Sequence, residues 1–200
     1  MIRILFTFLI FHEDMYNIKN PDRLAFIRKI REERGIQEIF SLDDARKNNI
    51  LELGTNVKIK NGTVIGTDGW GYERNEDNEL EKFPHYGKVI IGNNVDISSN
   101  CTIDRGNMHD TIIGNGTKID SGVHIAHNVK IGKHSRIGAH SILLGHCEIG
   151  DYGDVWTNVV IKEGIKIGNN AVIGSCSFVD VDVPKNSHFV SQHKKIIRNF

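Results

Sequence analysis

The chain has 200 residues, of which 39% are hydrophobic, and its 25 basic and 25 acidic side chains cancel. This length and composition predict one main domain with a sizeable core and leave little room for a separate catalytic module. The balanced charge gives no global field that would attract nucleic acid, and basic residues run together only near the C-terminus. Nucleic acid is therefore not an expected partner.

The cysteines and the opening segment bear on where the protein works. Cys101, Cys147 and Cys176 are odd in number and form no CxxC pair, which argues against a disulfide framework and against a thiolate zinc site. A reducing cytoplasm is the expected location. The apolar run of residues 1–11 lacks a small-residue cleavage site and is too short to span a bilayer, so it is interpreted as a buried strand.

Residues 1–50 predict a small α/β cap. Asn20 is a helix cap with Pro21 at the first helical position, and Gly35 is a plausible end of that helix. The predicted elements are strands near residues 2–11 and 36–40, a helix from Asn20 to Arg34, and a short helix capped at Ser41. The sequence of this cap indicates no particular function.

Branched apolar residues recur every six positions through most of the remaining chain. Glycine follows many of them, and a small or β-branched residue commonly sits four places on. Such a period predicts short strands turned by Gly and Asn, each pointing one branched side chain into a shared interior. The inward positions are Leu53, Ile59, Ile65, Ile91, Ile97, Ile103, Ile113, Ile119, Ile125, Ile131, Ile137, Leu143, Ile149, Val155, Ile161, Ile167, Ile173 and Val179.

Three hexads close one triangular coil, so these positions predict about six coils of an all-β parallel β-helix over residues 51–183. At about 4.8 Å per strand spacing the stack is about 29 Å tall. Residues 184–200 are expected to form a basic C-terminal tail. The flat faces of such a prism leave apolar positions exposed, which predicts a homotrimer.

Two interruptions of the repeat mark one edge of the predicted stack. Counting in threes puts Ile65, Ile103, Ile125 and Leu143 on the third strand of successive coils. Loops and ionisable groups gathered on one edge are typical of a functional site. That edge is predicted to carry the loop 66–90, the loop from Asp104 to Asp110, His127, and Gly145 with His146.

Spacing also predicts how the histidines are arranged. Gly145 lies 18 residues, one whole coil, after His127, so it should stack over His127 with His146 just beside it. The two imidazoles are expected to be close neighbours. His134 and His140 fall on the other two corners and are interpreted as structural.

Five stretches between Gly66 and Val129 resemble the UDP-3-O-acylglucosamine N-acyltransferases of lipid A biosynthesis. They are Gly69-Trp70-Gly71-Tyr72, Lys82-Phe83-Pro84-His85-Tyr86-Gly87, Thr102-Ile103-Asp104-Arg105-Gly106, Lys118-Ile119-Asp120 and Ile125-Ala126-His127-Asn128-Val129. The resemblance, and not the periodicity, implies that the β-helix is left-handed. It also implies a trimer with sites between subunits.

The resemblance assigns residues to the chemistry of acyl transfer. It implies His127 as general base, His146 as the second site histidine, and Asp120 near the sugar together with the Asp104-Arg105 loop. Amide formation from an amine and a thioester needs a base, because an ammonium cannot attack, and it needs donors for the oxyanion. An imidazole suits the first task, and the backbone N–H of Gly145 suits the second.

Two further groups are predicted to bind substrates. Trp70, Tyr72, Phe83 and Tyr86 lie in the loop 66–90, which is long for a regular solenoid, and are expected to stack on a base or sugar of the acceptor. Lys194, Lys195 and Arg198 resemble the tail that other hexapeptide acetyltransferases use near the coenzyme A phosphates. Acyl-CoA is therefore the expected donor, with no tightly bound cofactor and no metal.

The expected function is transfer of an acyl group from a thioester to the amine of a nucleotide-linked amino sugar for surface polysaccharide. A lipid A pathway enzyme that uses acyl carrier protein is the alternative within the same class. From other classes, a gamma-type carbonic anhydrase would need three imidazoles converging on zinc. A non-catalytic β-helix subunit would turn over no thioester with any amino sugar.

Overall fold

A computed structural model of the chain describes Ala45 and residues 48–191. The predicted cap strands and helix, as well as Lys194, Lys195 and Arg198, lie outside the described residues. Ala45, the described residue of the short helix predicted after Ser41, is helical, and its carbonyl accepts from the N–H of Ile50 at 2.8 Å. No helix in the described part of the chain is long and apolar enough to cross a membrane.

The chain divides into two compact units, residues 1–37 with 70–84, and residues 38–69 with 85–200. The described part of the first unit contains an antiparallel hairpin, in which β4 (Tyr72–Arg74) pairs with β5 (Leu80–Lys82). Beyond the hairpin, the N–H of Phe83 donates to the carbonyl of Gly71 at 2.8 Å. This hairpin is the middle of the loop 66–90.

The second unit contains three parallel sheets, as the six-residue period predicts. The first sheet consists of β1 (Leu51–Leu53), β6 (Val89–Ile91), β9 (Thr111–Ile113), β12 (Lys130–Ile131), β15 (Glu148–Ile149) and β18 (Lys166–Ile167). The second consists of β2 (Lys58–Ile59), β7 (Asp96–Ile97), β10 (Lys118–Ile119), β13 (Arg136–Ile137), β16 (Asp154–Val155), β19 (Val172–Ile173) and β21 (His188–Phe189).

The third sheet consists of β3 (Val64–Thr67), β8 (Thr102–Asp104), β11 (His124–Ile125), β14 (Ile142–Leu143), β17 (Val160–Ile161) and β20 (Phe178–Val179). The chain visits the three sheets in turn, so each set of three strands is one coil. The predicted all-β, left-handed parallel β-helix of about six coils is confirmed.

The core is the column of inward residues that the period identifies. Except for Leu53 and Ile59 in the first coil, which are half-buried, every predicted inward residue is buried. The small residues four places on are buried too, and their hydroxyls bond to backbone carbonyls of the next coil. Ser135 Oγ donates to the carbonyl of Gly150 at 2.9 Å, for example. Small side chains are needed there because the corner backbone is close to the axis.

Most corners are turned by a residue in the left-handed region, three places after the inward residue. Asparagine and glycine dominate this position because they adopt positive φ at the lowest cost. His134, His140 and His146 also occupy it, with φ of 54°, 58° and 61°. His127 does not, because it lies one residue earlier, and Asn128 makes the turn instead with φ of 61°.

The stack extends past the boundary predicted at residue 183. Val183 bridges to Ile167, and β21 pairs with β19 through Phe189 and Ile173. The predicted tail of residues 184–200 therefore starts with a further β-strand. The six-residue search missed this partial coil because the step from Val179 to Val183 is two residues short of a hexad.

Candidate active site

The third sheet ends at the edge where the sequence places both interruptions. The register pairs Ile65 with Ile103, Ile103 with Ile125, and Ile125 with Leu143. The chain turns out of the sheet directly after these residues, so the segments that follow them lie one above another. The predicted position of this edge is confirmed.

On that edge, the His127 ring lies between two glycines. A Cβ placed on Gly145 would be 2.7 Å from Cε1 and 3.0 Å from Nε2 of His127. A Cβ placed on Gly69 would be 2.8 Å from Cδ2 of the same ring. Neither glycine has a positive φ, so their backbone conformations do not require glycine. The absence of both side chains makes room for the imidazole.

Two further imidazoles meet that ring edge to face. The His146 centroid is 5.1 Å away at an interplanar angle of 80°, which confirms the predicted proximity. The His85 centroid is 5.5 Å away at 69°, and His85 is buried. Sequence reasoning did not single out His85, although it lies in the stretch Lys82–Gly87 that carries part of the family resemblance.

The amide of Asn128 fixes the tautomer of His127. Its Oδ1 accepts from the N–H of Asn107 at 3.0 Å, and its Nδ2 donates to the carbonyl of His109 at 2.8 Å, so the amide orientation is determined. His127 Nδ1 lies 3.0 Å from the same Oδ1. Because an amide oxygen only accepts, Nδ1 carries the proton, and in the neutral ring the lone pair is on Nε2. Sequence analysis did not single out Asn128, although it lies in the stretch Ile125–Val129 that carries part of the family resemblance.

The loop from Asp104 to Asp110 is tied to the segment that leaves β3. Thr67 Oγ1 donates to Asp104 Oδ1 at 3.2 Å, and the N–H of Arg105 donates to the carbonyl of Thr67 at 2.9 Å. Arg105 Nε lies 2.8 Å from Asp68 Oδ1, with side chains only 3% and 13% exposed. The guanidinium predicted to lie near the sugar is thus engaged by Asp68 inside the protein.

The backbone N–H of Gly145 differs in its hydrogen bonding from the equivalent N–H groups at the next corner. At that corner, the N–H of Lys133 donates to Asp151 Oδ1 at 2.7 Å, and the N–H of Asp151 donates to Asn169 Oδ1 at 3.0 Å. At the site edge the residue one coil beyond Gly145 is Glu163, and within residues 48–191 nothing accepts from the Gly145 N–H. The amide remains available to a ligand.

The other predicted site residues differ in burial and position. Asp120 is exposed after β10, at another corner, and lines an open groove of about 710 Å³ on the second sheet. In the other unit, Trp70 is 86% exposed and meets Tyr72 at a centroid distance of 5.0 Å, and Phe83 is buried. Tyr86 is half-buried, and its N–H donates to the carbonyl of Asn107 at 2.7 Å.

A fourth imidazole, His124, faces outward from the third sheet beside the site edge. Its Nδ1 lies 2.7 Å from Thr102 Oγ1, and its Nε2 is 4.0 Å from Asp104 Oδ2. Burial lowers the pKa of His124 below the ordinary value, which keeps the ring neutral near pH 7. Among the thiols, burial raises the pKa of Cys147 to about 12, so this inward cysteine is unreactive.

The described residues do not form the zinc site that the carbonic anhydrase alternative requires. Among residues 48–191 no group of three His, Cys, Asp or Glu side chains is arranged to hold a metal ion. His85, His127 and His146 instead meet edge to face.

Comparison with known proteins agrees with this architecture. Residues 110–145 match the bacterial transferase hexapeptide (six repeats) family. A UDP-3-O-acylglucosamine N-acyltransferase of Methylobacterium nodulans is 40% identical over 148 residues, and one of Coxiella burnetii is 52% identical over 68 residues. The chain is thus similar to hexapeptide-repeat acyltransferases over the matched residues. The UDP-N-acetylglucosamine acyltransferase of Bacteroides fragilis superimposes with a TM-score of 0.59 at 25% identity.

These matches span only part of the other proteins. The aligned residues are 74% of this chain and 42% of the Methylobacterium protein, and 34% of this chain and 20% of the Coxiella protein. For the Bacteroides fragilis structure the shares are 72% and 53%. The chain thus covers about half or less of the relatives it matches.

Proposed function

We propose that the protein transfers an acyl group from an acyl thioester to the amine of a nucleotide-linked amino sugar. The observation that carries this proposal is the pairing of two groups on the interrupted edge. The His127 ring, with its Nδ1 proton donated to Asn128, has Nε2 next to Gly145. The N–H of Gly145 has no acceptor within the described residues. A base and an oxyanion donor side by side are the two groups that aminolysis of a thioester requires.

The reaction follows from these two groups. His127 Nε2 accepts a proton from the attacking amine, which forms the new C–N bond to the thioester carbonyl carbon. The carbonyl oxygen becomes an oxyanion that accepts from the Gly145 N–H. Collapse of the tetrahedral intermediate breaks the C–S bond, and the imidazolium returns its proton to the leaving thiolate. The products are an amide and a free thiol.

The neighbouring residues support this chemistry in different ways. His146 adds an imidazole at the same edge, 5.1 Å from His127, where it contacts the acceptor or the oxyanion. Asp104 is proposed to lie near the sugar, in the loop that follows β8. Arg105 supports the site indirectly, through its ion pair with Asp68. Trp70, Tyr72, Phe83 and Tyr86 are proposed to contact the base or sugar of the acceptor, as their aromatic character favours.

We further propose that the working form is a homotrimer with sites between subunits. Asp120 lies at a corner away from His127, so it reaches a sugar at the site edge only when it belongs to a second chain. The exposed apolar side chains on the outside of the third sheet, Val64, Ile142 and Phe178, favour such an assembly. Light scattering on purified protein should give a mass of about three chains, and an active monomer would contradict this arrangement.

A screen of acyl donors against nucleotide-linked amino sugars, read by mass spectrometry, tests the activity itself. Acyl-CoA is the proposed donor, and Lys194, Lys195 and Arg198 are proposed to contact its phosphates. Product should form with wild-type protein, and the His127→Ala variant should give a signal reduced by at least about 100-fold. Turnover with acylated carrier protein alone would favour the lipid A pathway alternative. The absence of product with every pair would contradict the proposal.

A further inference from the structure

We propose that His85 is a positioning residue that holds the His127 imidazole towards Gly145, a role whose catalytic consequence rests on the proposed function. His85 is only 2% exposed, so it has no access to bulk solvent or to a bulky substrate. Its ring meets the His127 ring at a centroid distance of 5.5 Å and an angle of 69°. It therefore acts through His127.

Gly69 joins these two imidazoles into one packed unit. A Cβ on Gly69 would lie 2.9 Å from His85 Nε2 and 2.8 Å from His127 Cδ2. Both rings therefore rest on the same backbone segment. Because His127 has Gly69 and His85 on one side and Gly145 on the other, its ring has little room to rotate about its side-chain torsions.

The backbone around Gly69 and His85 is itself fixed by buried polar contacts. The preceding residue, Asp68, is held by the ion pair with Arg105, both side chains being nearly inaccessible. On the other side, the N–H of Gly87 donates to the carbonyl of Gly106 at 3.0 Å. The loop that starts at Asp104 is thus bonded to the chain just before Gly69 and again shortly after His85.

This arrangement explains why a buried imidazole would stand behind the proposed base. Proton transfer needs Nε2 held within about 0.5 Å of its productive position. The Asn128 amide fixes which nitrogen carries the proton, but a single hydrogen bond at Nδ1 leaves the ring free to pivot about it. Packing against His85 removes that freedom.

The first test compares His85→Ala and His85→Gln with His140→Asn, which removes an exposed imidazole from another corner where Asn tolerates positive φ. We expect His85→Ala to lower kcat by about 10- to 100-fold with little change in the KM of the acceptor, as for a misplaced catalytic group. Added imidazole should partly restore kcat by filling the vacated volume. His85→Gln, which keeps most of that volume, should lose less, and His140→Asn should match wild type.

Gly69→Ala provides the opposite perturbation, because it removes no side chain and displaces both rings. It should also lower kcat while the acceptor KM stays within about twofold. Since its backbone needs no positive φ, the variant should fold even where His85→Ala does not. Wild-type kcat in both Gly69→Ala and His85→Gln would overturn the proposal.

A substrate-free measurement separates this inference from the proposed function. Long-range ¹H–¹⁵N correlation spectra of wild-type protein should show His127 with its proton on Nδ1, in one sharp set of ring signals. In His85→Ala those signals should broaden or report mixed tautomers, and in His140→Asn they should not. Altered His127 signals in a protein that turns over no donor would uphold the positioning role and reject acyl transfer. Unchanged signals would overturn the positioning role even if acyl transfer is found.

Discussion

The corner that carries His127 and the corners that carry His134 and His140 use the same residue type in different positions of the repeat. His134 and His140 occupy the turn position itself, with positive φ, and both side chains are exposed. His134 stacks on Tyr152 at a centroid distance of 5.5 Å. His127 comes one residue earlier, where its ring lies between two glycines.

A shift of one residue in the repeat thus separates His127 from the turn histidines His134 and His140. At the turn position a side chain stacks on the corner of the neighbouring coil, as His134 does over Gly116. One residue earlier, at the corner that follows the first sheet, Asp or Asn accepts a backbone N–H from the neighbouring coil, as Asp151 does for Lys133. At the site edge Gly145 replaces that acceptor, which leaves room for the His127 ring.

Replacing His127 with Ala should give the largest difference in kcat between the site corner and a plain corner. We expect kcat to fall by about 10² to 10⁴, as is typical for loss of a general base. A corner position contributes little to the core, so the free energy of unfolding should change by less than about 1 kcal/mol. Steady-state kinetics and thermal melts would measure both effects.

His134→Asn, at a plain corner, is the matched control and should leave kcat unchanged. His146→Ala should cost less than His127→Ala, because a backbone donor at the same corner still holds the oxyanion. If His127→Ala keeps the wild-type kcat and pH profile, the base lies elsewhere and the proposed mechanism is wrong.

Replacing Asn128 with Ala should have the next largest effect. The variant removes the acceptor for His127 Nδ1 and leaves the Asn107 N–H and the His109 carbonyl without the amide. We expect kcat to fall by about 10- to 100-fold through the wrong tautomer or ring position. The free energy of unfolding should fall by about 1–3 kcal/mol for the buried groups left without partners.

Asn158→Ala isolates this effect from the cost of the turn. Asn158 also has positive φ, at 55°, but it is exposed at a plain corner. It should lose only the stability that positive φ costs alanine, with no kinetic change. Equal kinetic and stability losses in the two variants would show that Asn128 is merely a turn residue.

Replacing Trp70 and Tyr72 together with Ala tests whether the hairpin serves the acceptor. Stacking on a base contributes about 1–3 kcal/mol, so the acceptor KM should rise by about 5- to 100-fold while kcat and assembly are retained. Trp156→Ala, an exposed tryptophan on the second sheet, should leave the acceptor KM unchanged. An unchanged acceptor KM in the double variant would show that the hairpin does not contact the acceptor.

The smallest expected effect concerns the pH dependence of stability. Because the pKa of His124 is lowered by burial in the folded protein, the unfolded chain binds more protons between that pKa and the ordinary value of about 6.5. Stability therefore rises with pH through that window, and His124's contribution is lost as pH falls through the lowered pKa. Denaturant unfolding of His124→Gln should show a shallower acid-side decline than wild type. Parallel curves would contradict it.

The solenoid and its interrupted edge follow from the amino-acid sequence alone. A strict six-residue period admits one short strand per hexad with one inward side chain, so Ile103, Ile125 and Leu143 had to stack. The counting argument also brought His127, Gly145 and His146 together, because positions 18 residues apart share a corner in any three-sided coil.

The arrangement of side chains on that edge, in contrast, depends on tertiary contacts. His85 and Gly69 reach His127 from an insertion whose path no period constrains, and the orientation of the Asn128 amide depends on backbone groups of another loop. Arg105 is engaged by Asp68 instead of pointing outward for the same reason. Periodicity sets which residues share a coil, whereas the placement of loop side chains is set by hydrogen bonds and contacts formed only after the coils have stacked.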